Sequence, residues 1–200
     1  MKPDALFFDI GNVLVLFDYG VVLAKLREGC ADPASPDRPD FTPLKNAYER
    51  GEIDRPAFMQ KAADLLEWKR SLEEMEAIWA DIFSPNPPME KLLERLAGNR
   101  LLHISNISDL HREFLGARYP HLRHFSGGIY SHEVGMLKPD PRMFTLALER
   151  FELAPDRVLY VDDMEENVIA ARGCGIATWH YHAERHGDFE NWLVENGVPG

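Results

Sequence analysis

Cysteine is scarce in this 200-residue sequence, and the two cysteines that occur, Cys30 and Cys174, lie far apart along the chain. Two such distant residues cannot build a disulfide framework or a metal knuckle, so both are expected to be reduced packing residues of a cytoplasmic protein. Long apolar runs are also lacking, because no window approaches the roughly 20 apolar residues of a membrane-spanning helix. The sequence therefore predicts a soluble, unexported protein.

Positive charge is the second scarce property. The 22 lysines and arginines face 33 acidic residues, which gives a formal net charge of -11. No local cluster of basic residues offsets this balance, which argues against nucleic acid or an anionic membrane as the partner. A small ligand fits better, and if it is anionic, a bound divalent cation could supply the positive charge inside the site.

Internal repeats and low-complexity tracts are absent as well, and the pattern that remains is an alternation of strands and helices. The stretch "ALFFDIGNVL" (5–14) is an apolar run that ends on Asp9 and turns at Gly11, which predicts a buried parallel strand carrying Asp9 to its carboxyl end. Further strands are predicted at 101–105, 127–131, 158–163 and 177–182, and helices at 109–118, 141–151 and 165–173. This order predicts an α/β fold with a doubly wound parallel sheet.

Residues 18–84 have a different character, with apolar residues at three- and four-residue spacing and no β-branched runs. Pro56 suits a first helical turn and Ser71 suits a helix cap, so this segment is predicted to be a small helical bundle containing a Pro/Asp-rich loop at 31–43. We expect a core domain of residues 1–16 and 85–200 with a helical cap, residues 17–84, inserted beside the end of the first strand. A helix is expected to begin near Pro88, and a last amphipathic helix to pack Phe189, Trp192 and Leu193 on the core.

Polar groups follow several of the predicted strands. "HISN" places Ser105 and Asn106 at a strand end, ahead of a helix capped by Ser108 or Asp109, so a hydroxyl and backbone N–H groups are available to a phosphate. Lys138 precedes a proline, which keeps it extended just before a helix that begins at Pro141. Each feature alone is also compatible with an ordinary cap or a solvated lysine.

Two adjacent acids, Asp162 and Asp163, close the run "VLYVDD" (158–163). Two unpaired charges at the end of a doubly buried strand would be costly, and a hard cation held by oxygen ligands removes that cost. Mg²⁺ typically takes one or two carboxylates together with waters and a substrate phosphate. The alternative is that the pair merely caps the next helix.

The four features occur in the order Asp9, Ser105, Lys138, Asp162-Asp163, and with the inserted cap they resemble the motifs of the haloacid dehalogenase (HAD) superfamily of hydrolases. The resemblance implies a Rossmann-like core in which Asp9 is the nucleophile that forms an aspartyl-phosphate or an aspartyl ester. It also implies that Ser105 and the Asn106 amide bind phosphate, and that Lys138 neutralises the nucleophile and the transferring group.

For the metal site, the same resemblance implies Mg²⁺ held by Asp9, by the Gly11 carbonyl and directly by Asp163. Asp162 and Asn167 match positions that support the metal through water or further hydrogen bonds. The candidate substrate contacts are Asn12 and two residues of the cap turn "YERGEID" (48–54), Arg50 and Glu52. His103 shares the strand face of Ser105, and a packed histidine is the simpler interpretation.

Gly11 departs from the pattern, because most phosphatases of the superfamily carry there an Asp that serves as general acid and base. General acid–base help is worth about 10²–10⁴ in rate, so the substrate or another residue has to compensate. The pattern "DIGNV" is similar to that of the α-D-glucose-1-phosphate phosphatase-like branch, which suggests a sugar phosphate with a readily departing leaving group.

These observations predict Mg²⁺-dependent hydrolysis of a small phosphorylated metabolite. A monomeric enzyme is compatible with this activity. The identity of the ester and the oligomeric state stay open. Two alternatives stand beside it. One is a 2-haloacid dehalogenase, which needs neither the acid nor a metal, and the other is a catalytically impaired phosphate-binding or regulatory module. A metal titration of turnover would separate the three.

Overall fold

The computed structural model describes residues 2–31 and 40–198, so most of the predicted loop at 31–43 lies outside the described residues. The strands are β1 (Ala5–Phe8), β2 (Val15–Phe17), β3 (Phe83–Pro85), β4 (Leu101–Ser105), β5 (Phe125–Tyr130), β6 (Val158–Asp162) and β7 (Ala177–His180). The helices are α1 (Tyr19–Arg27), α2 (Thr42–Glu49), α3 (Arg55–Leu66), α4 (Leu72–Ala80), α5 (Pro87–Leu96), α6 (Asp109–Arg118), α7 (Ser131–Val134), α8 (Pro141–Arg150), α9 (Glu165–Gly173) and α10 (His186–Glu195). Short 3-10 turns span Pro120–His124, Pro155–Arg157 and Ala183–Arg185.

Five strands form one parallel sheet in the order β5-β4-β1-β6-β7, with the first strand of the chain at its centre. Leu6 of β1 is in register with Leu101 of β4 on one side and with Leu159 of β6 on the other. Parallel strands with intervening helices confirm the predicted α/β class and the doubly wound sheet.

Both faces of the sheet are buried, because successive residues of a strand point to opposite sides. Leu6 and Phe8 join a cluster formed with α5, α10 and part of α6, whereas Ala5 and Phe7 join a cluster formed with α8 and α9. Burial on both faces explains why the central strands β1 and β6 are apolar runs and do not alternate with polar residues. The last helix packs Phe189 and Leu193 on the core as predicted.

A two-stranded antiparallel ribbon, β2 with β3, pairs Val15 with Pro85 and Phe17 with Phe83. It lies where the chain leaves the sheet domain after β1 and returns before α5, and sequence periodicity did not predict it. Helices α1 to α4 follow β2 and enclose their own apolar cluster around Phe58 and Trp79. We keep the name cap for residues 17–84, and the division into two domains at these points stays a prediction.

Local signals placed several helix ends correctly. Ser71 forms a complete capping box with Glu74 at the start of α4, and Ser108 caps α6 by accepting a hydrogen bond from the His111 N–H. Both cysteines are free thiols that donate to backbone carbonyls, Cys30 to Leu26 at 3.2 Å and Cys174 to Pro141 at 3.7 Å. In the described part of the chain, no helix combines the length and the apolar character needed to cross a membrane.

Candidate active site

Asp9 lies one residue beyond the end of β1, at the edge of the sheet where the carboxyl ends of the parallel strands meet. Its side chain is nearly buried, with 11% exposure. The Ser105 hydroxyl, at the end of β4, donates to Asp9 Oδ1 at 2.8 Å, and the Lys138 ammonium lies 2.9 Å from the same oxygen. The structure therefore brings together the three residues that the sequence marked as catalytic.

Lys138 is held by a second acid. Its Nζ lies 2.6 Å from Asp162 Oδ2 and 3.1 Å from the Tyr160 hydroxyl, and both charged side chains are almost fully buried. Asp162 also accepts bonds from the Met164 N–H and the Asn167 amide on Oδ1. Its two oxygens are thus engaged in orienting Lys138 and the start of α9, which fits the supporting role implied for Asp162.

Asn106 fixes the backbone of Lys138. Its Oδ1 accepts from the Lys138 N–H at 2.8 Å, and its Nδ2 donates to the Lys138 carbonyl at 3.0 Å. The Asn106 side chain, which was predicted near a phosphate, therefore links the end of β4 to the loop that carries Lys138. Its backbone N–H as a phosphate ligand stays a prediction.

The charges of this site are not balanced by the protein alone. Burial raises the pKa of Asp9 to about 7, with Asp162 and Asp163 adding to the shift and Lys138 opposing it. Burial also raises the pKa of Asp163, although the hydrogen bond that the Asn12 amide donates to it at 3.1 Å acts in the opposite direction and lowers the pKa. For Lys138, burial disfavours the charge, but Asp162 and Asp9 outweigh it and raise the pKa. An additional positive charge beside the carboxylates would offset their excess negative charge.

The side chains present fit a magnesium ion. Carboxylate oxygens of Asp9, Asp162 and Asp163 lie within 4.8 Å of one another, and oxygen is the donor that Mg²⁺ prefers. Among the described residues, the buried Asn167 Oδ1 has no hydrogen-bond partner although this residue lines the same cavity. A water bound to the cation would satisfy such an oxygen. Since Asp162 is engaged with Lys138, Asp9 and Asp163 are the residues that would hold the metal.

A cavity of about 200 Å³ opens above these groups. Its floor comes from the sheet edge, with Asp9, Ser105, Asn106, Lys138 and Asp163. Its roof comes from the cap and the ribbon, with three polar residues, Tyr19, Lys45 and Glu49, beside the apolar Phe17, Ile82 and Phe83. If the anionic group of a small ligand binds at the floor, the remainder of that ligand would contact the cap.

A model of the family described as haloacid dehalogenase-like hydrolase matches residues 3–175, which is most of the chain. This protein belongs to the haloacid dehalogenase-like hydrolases. The match extends from β1 through α9, and so includes every residue of the floor of the cavity.

Two relatives of this HAD-like hydrolase carry phosphatase names. It is 29% identical over 110 residues to the phosphorylated carbohydrates phosphatase of Thermotoga maritima, a match covering 54% of this chain and 51% of that protein. It is 43% identical over 89 residues to the phosphoserine phosphatase of Thermus thermophilus, covering 42% of this chain and 35% of that protein. These matches span about half or less of the length of the curated relatives.

Solved structures share the fold over the whole chain. A HAD family enzyme from Bacteroides thetaiotaomicron, crystallised with magnesium and inorganic phosphate, superposes with a TM-score of 0.80. The superposition covers 91% of this chain and 96% of that chain, at 21% sequence identity. Identity this low shows the shared fold and leaves the chemistry to be argued from the site.

In this HAD-like hydrolase, the space around Gly11 restricts which residue fits there, whereas its backbone conformation does not. Gly11 is not among the glycines with positive φ, so its backbone conformation is open to other residues. A Cβ at this position would lie 2.6 Å from Cε1 of Phe17, a ring that packs edge-on against Tyr19 and Phe83. The glycine therefore makes room for an aromatic ring in the cavity wall.

The predicted cap contacts lie outside the cavity. Arg50 Nε pairs with Glu52 Oε1 at 2.6 Å in the turn between α2 and α3, and neither residue lines the cavity. The cap residues that do line it from the same region, Lys45 and Glu49, were missed. Their i,i+4 spacing on one helix face was the available signal. Asn12 lines the cavity and reaches Asp163.

Two histidines near the site are packing residues. His103 is 4% exposed and stacks on Phe125 with ring centroids 3.9 Å apart, and it does not line the cavity. His111, which sequence analysis did not single out, lines the cavity with its Nε2 in a 2.9 Å hydrogen bond to the Trp79 carbonyl. Burial lowers the pKa of His103 to about 3 and that of His111 to about 4, so both rings are neutral at pH 7.

Proposed function

We propose that this HAD-like hydrolase is a Mg²⁺-dependent phosphatase that hydrolyses small phosphomonoesters through an aspartyl-phosphate on Asp9. The observation that carries the proposal is the arrangement around Asp9: one buried carboxylate with a hydroxyl and an ammonium on a single oxygen, beside a second acid in the cavity. The phosphatase names of the relatives support the same reaction class. The two free thiols support a reducing, cytoplasmic location.

The nucleophile is Asp9. Because Ser105 and Lys138 both contact Oδ1, we assign bond formation with phosphorus to Oδ2. A bound Mg²⁺ would supply positive charge that keeps Asp9 ionised and balances the phosphoryl group. The Ser105 hydroxyl, the Lys138 ammonium and the Asn106 N–H hold the phosphoryl oxygens, whose charge is spread in a loose transition state. Water then hydrolyses the aspartyl-phosphate and releases phosphate.

Asp162 and Asn106 are positioning residues in this mechanism. They fix the ammonium and the backbone of Lys138, so the positive charge is in place before substrate binds. Such preorganisation lowers the barrier because no reorientation is required during the reaction. The apolar ring of Phe17 and the cap residues above it would limit water in the cavity.

The test is phosphate release from a panel of phosphomonoesters of sugars, amino acids and nucleosides, with p-nitrophenyl phosphate as a general probe. We expect turnover in Mg²⁺, none in excess chelator, and recovery when Mg²⁺ is restored. Asp9→Asn should abolish turnover with an unchanged circular dichroism spectrum. Asp188→Asn, at a surface aspartate paired with Arg185, is the matched control and should retain activity.

Two results would overturn the proposal. Halide release from 2-haloacids without any metal requirement would identify a dehalogenase. Mg²⁺ binding without turnover of any ester would identify a binding module.

A further inference from the structure

Glu49 is a buried acid that the mechanism above does not use. It is the last residue of α2, is 5% exposed, and lines the same cavity as Asp9. Its Oε2 lies 2.8 Å from Nζ of Lys45, one helical turn earlier. A carboxylic acid is costly to bury, so its place in the roof of the cavity calls for an explanation.

We propose that Glu49 is the general acid that protonates the leaving alcohol, and that the substrates are therefore alkyl phosphate monoesters, whose leaving groups need that proton. The inference rests on the proposed phosphatase function. It replaces the expectation, drawn from the resemblance alone, that the leaving group departs without help.

The position of Glu49 follows from the direction of attack. In phosphoryl transfer the attacking and leaving oxygens are roughly in line, so the leaving oxygen points away from the nucleophile. Asp9 is on the floor of the cavity, which directs the leaving oxygen to the roof. The polar residues that the cap contributes to the roof are Tyr19, Lys45 and Glu49.

Burial and a bound phosphate both shift Glu49 toward the protonated form that a general acid requires. Burial raises the pKa of Glu49, while Lys45 on its own helix and Lys138 on the floor oppose the shift. A phosphate dianion on the floor adds negative charge and further favours the protonated form. Burial also raises the pKa of Tyr19, which moves that hydroxyl away from the range in which a donor is efficient. His111 of α6 also lines the cavity, but its ring is neutral and bonded to the Trp79 carbonyl.

The two steps balance with Glu49 in this role. In the first, the Asp9 O–P bond forms, the P–O bond to the alkyl group breaks, and the departing oxygen takes the proton of Glu49. In the second, a water oxygen bonds to phosphorus, the Asp9 O–P bond breaks, and the Glu49 carboxylate takes the proton of that water. Alcohol and phosphate leave, and both side chains return to their starting forms.

The experiment compares rates across leaving groups, from p-nitrophenyl phosphate to simple alkyl phosphates, in Mg²⁺. We expect Glu49→Gln to slow alkyl esters by about 10²–10⁴-fold and p-nitrophenyl phosphate far less, because the aryl oxide leaves without a proton. Glu76→Gln, at a cap glutamate paired with Arg55 outside the cavity, is the matched control and should leave the dependence on leaving group unchanged.

A second variant keeps the test decisive if Glu49→Gln does not fold. As the pH rises, loss of the Glu49 proton should end the activity on alkyl esters, which sets an upper pH limit for these substrates. Lys45→Met removes a charge that stabilises the carboxylate, so this upper limit should move to higher pH. An equal slowing of all esters by Glu49→Gln, or an unmoved limit in Lys45→Met, would overturn the inference. Failure of the wild type to turn over any ester would instead overturn the phosphatase proposal itself.

Discussion

At the scale of single residues, Gly11 and Phe17 share one space. A Cβ on residue 11 would lie 2.6 Å from the Phe17 ring, and that ring is confined by Tyr19 and Phe83. An aspartate at position 11 would meet the same ring, so any gain from a new acid there would be masked by displaced packing. The two positions are therefore expected to be coupled.

This coupling predicts a double-mutant cycle. Gly11→Ala should destabilise the protein by about 1–3 kcal/mol because a methyl group is forced into filled space. In the Phe17→Leu background the same change should cost less, with a coupling of roughly 0.5–3 kcal/mol measured by urea unfolding. Additivity of the two changes would show that the ring moves aside freely.

The adjacent acids Asp162 and Asp163 differ in what each contributes to stability. Asp162 is fully buried and paired with Lys138, whereas Asp163 faces other carboxylates and has a raised pKa. In chelator, Asp162→Asn should destabilise the fold by about 3–5 kcal/mol because the buried Lys138 ammonium loses one of its two carboxylate partners and keeps only Asp9. Asp163→Asn should be neutral or stabilising, because it removes a like charge. Urea unfolding with equal losses in both variants would contradict this difference.

At the scale of elements, α2 shows why part of the site escaped sequence analysis. Each residue of a helix turns the side chain by about 100°, so Glu49 and Arg50 differ in direction although they are neighbours. The sequence pointed to Arg50 and Glu52 of the turn after α2, whereas Lys45 and Glu49 of the preceding helix line the cavity. The i,i+4 spacing places Lys45 and Glu49 on one face of α2, but packing in the cap cluster around Phe58 and Trp79 decides that this face points to the cavity.

The cap also contacts the sheet domain through a polar clasp, formed by Arg55 at the start of α3 with Asp109 and Glu113 of α6. Arg55 Nη2 lies 2.8 Å from both acids, and the Tyr48 hydroxyl donates to Asp109 at 2.5 Å. These groups are partly exposed, so salt should weaken the clasp. The clasp therefore favours a closed cavity most strongly at low ionic strength.

Removal of the clasp should let the cap open more often. Arg55→Met is expected to speed hydrogen exchange in the turn after α2 and at the start of α6, with the difference from wild type shrinking as salt is added. Arg27→Met, on the last turn of α1, serves as the control. Unchanged exchange in Arg55→Met would show that apolar packing alone holds the cap.

At the scale of the whole molecule, the buried histidines couple stability to pH. His103 and His111 have pKa values lowered to about 3 and about 4, against about 6.5 in an unfolded chain. Below pH 6.5 the unfolded state binds protons that the folded state does not, so stability falls as pH falls. Each histidine contributes about 1.4 kcal/mol per pH unit down to its folded pKa.

His103→Phe keeps a ring on Phe125 and removes one titrating group. Urea unfolding between pH 6.5 and 4.5 should show a shallower decline for this variant, by about 1.4 kcal/mol per pH unit. Parallel declines in wild type and variant would show that His103 is protonated in the folded protein.

Most of the architecture was predictable because short apolar strands alternate with helices along the chain from residue 101 onward. Asp9, Ser105 and Asp162 could be assigned to one edge because parallel strands share their carboxyl ends. Strands β2 and β3 were not predictable, since three residues are too few to display a period. The roof of the cavity depends on how the cap docks, which is a property of tertiary packing.

The central position of β1 sets an order for biosynthesis. Ala5–Phe8 needs partners in β4 and β6, which the ribosome delivers only after residues 103 and 161 have been made. The cap helices between them contact one another locally, so they can fold while β1 is still unpaired. The nascent chain thus carries an apolar strand that lacks both partner strands until residue 103 and the second one until residue 161, and we expect a chaperone to bind this stretch.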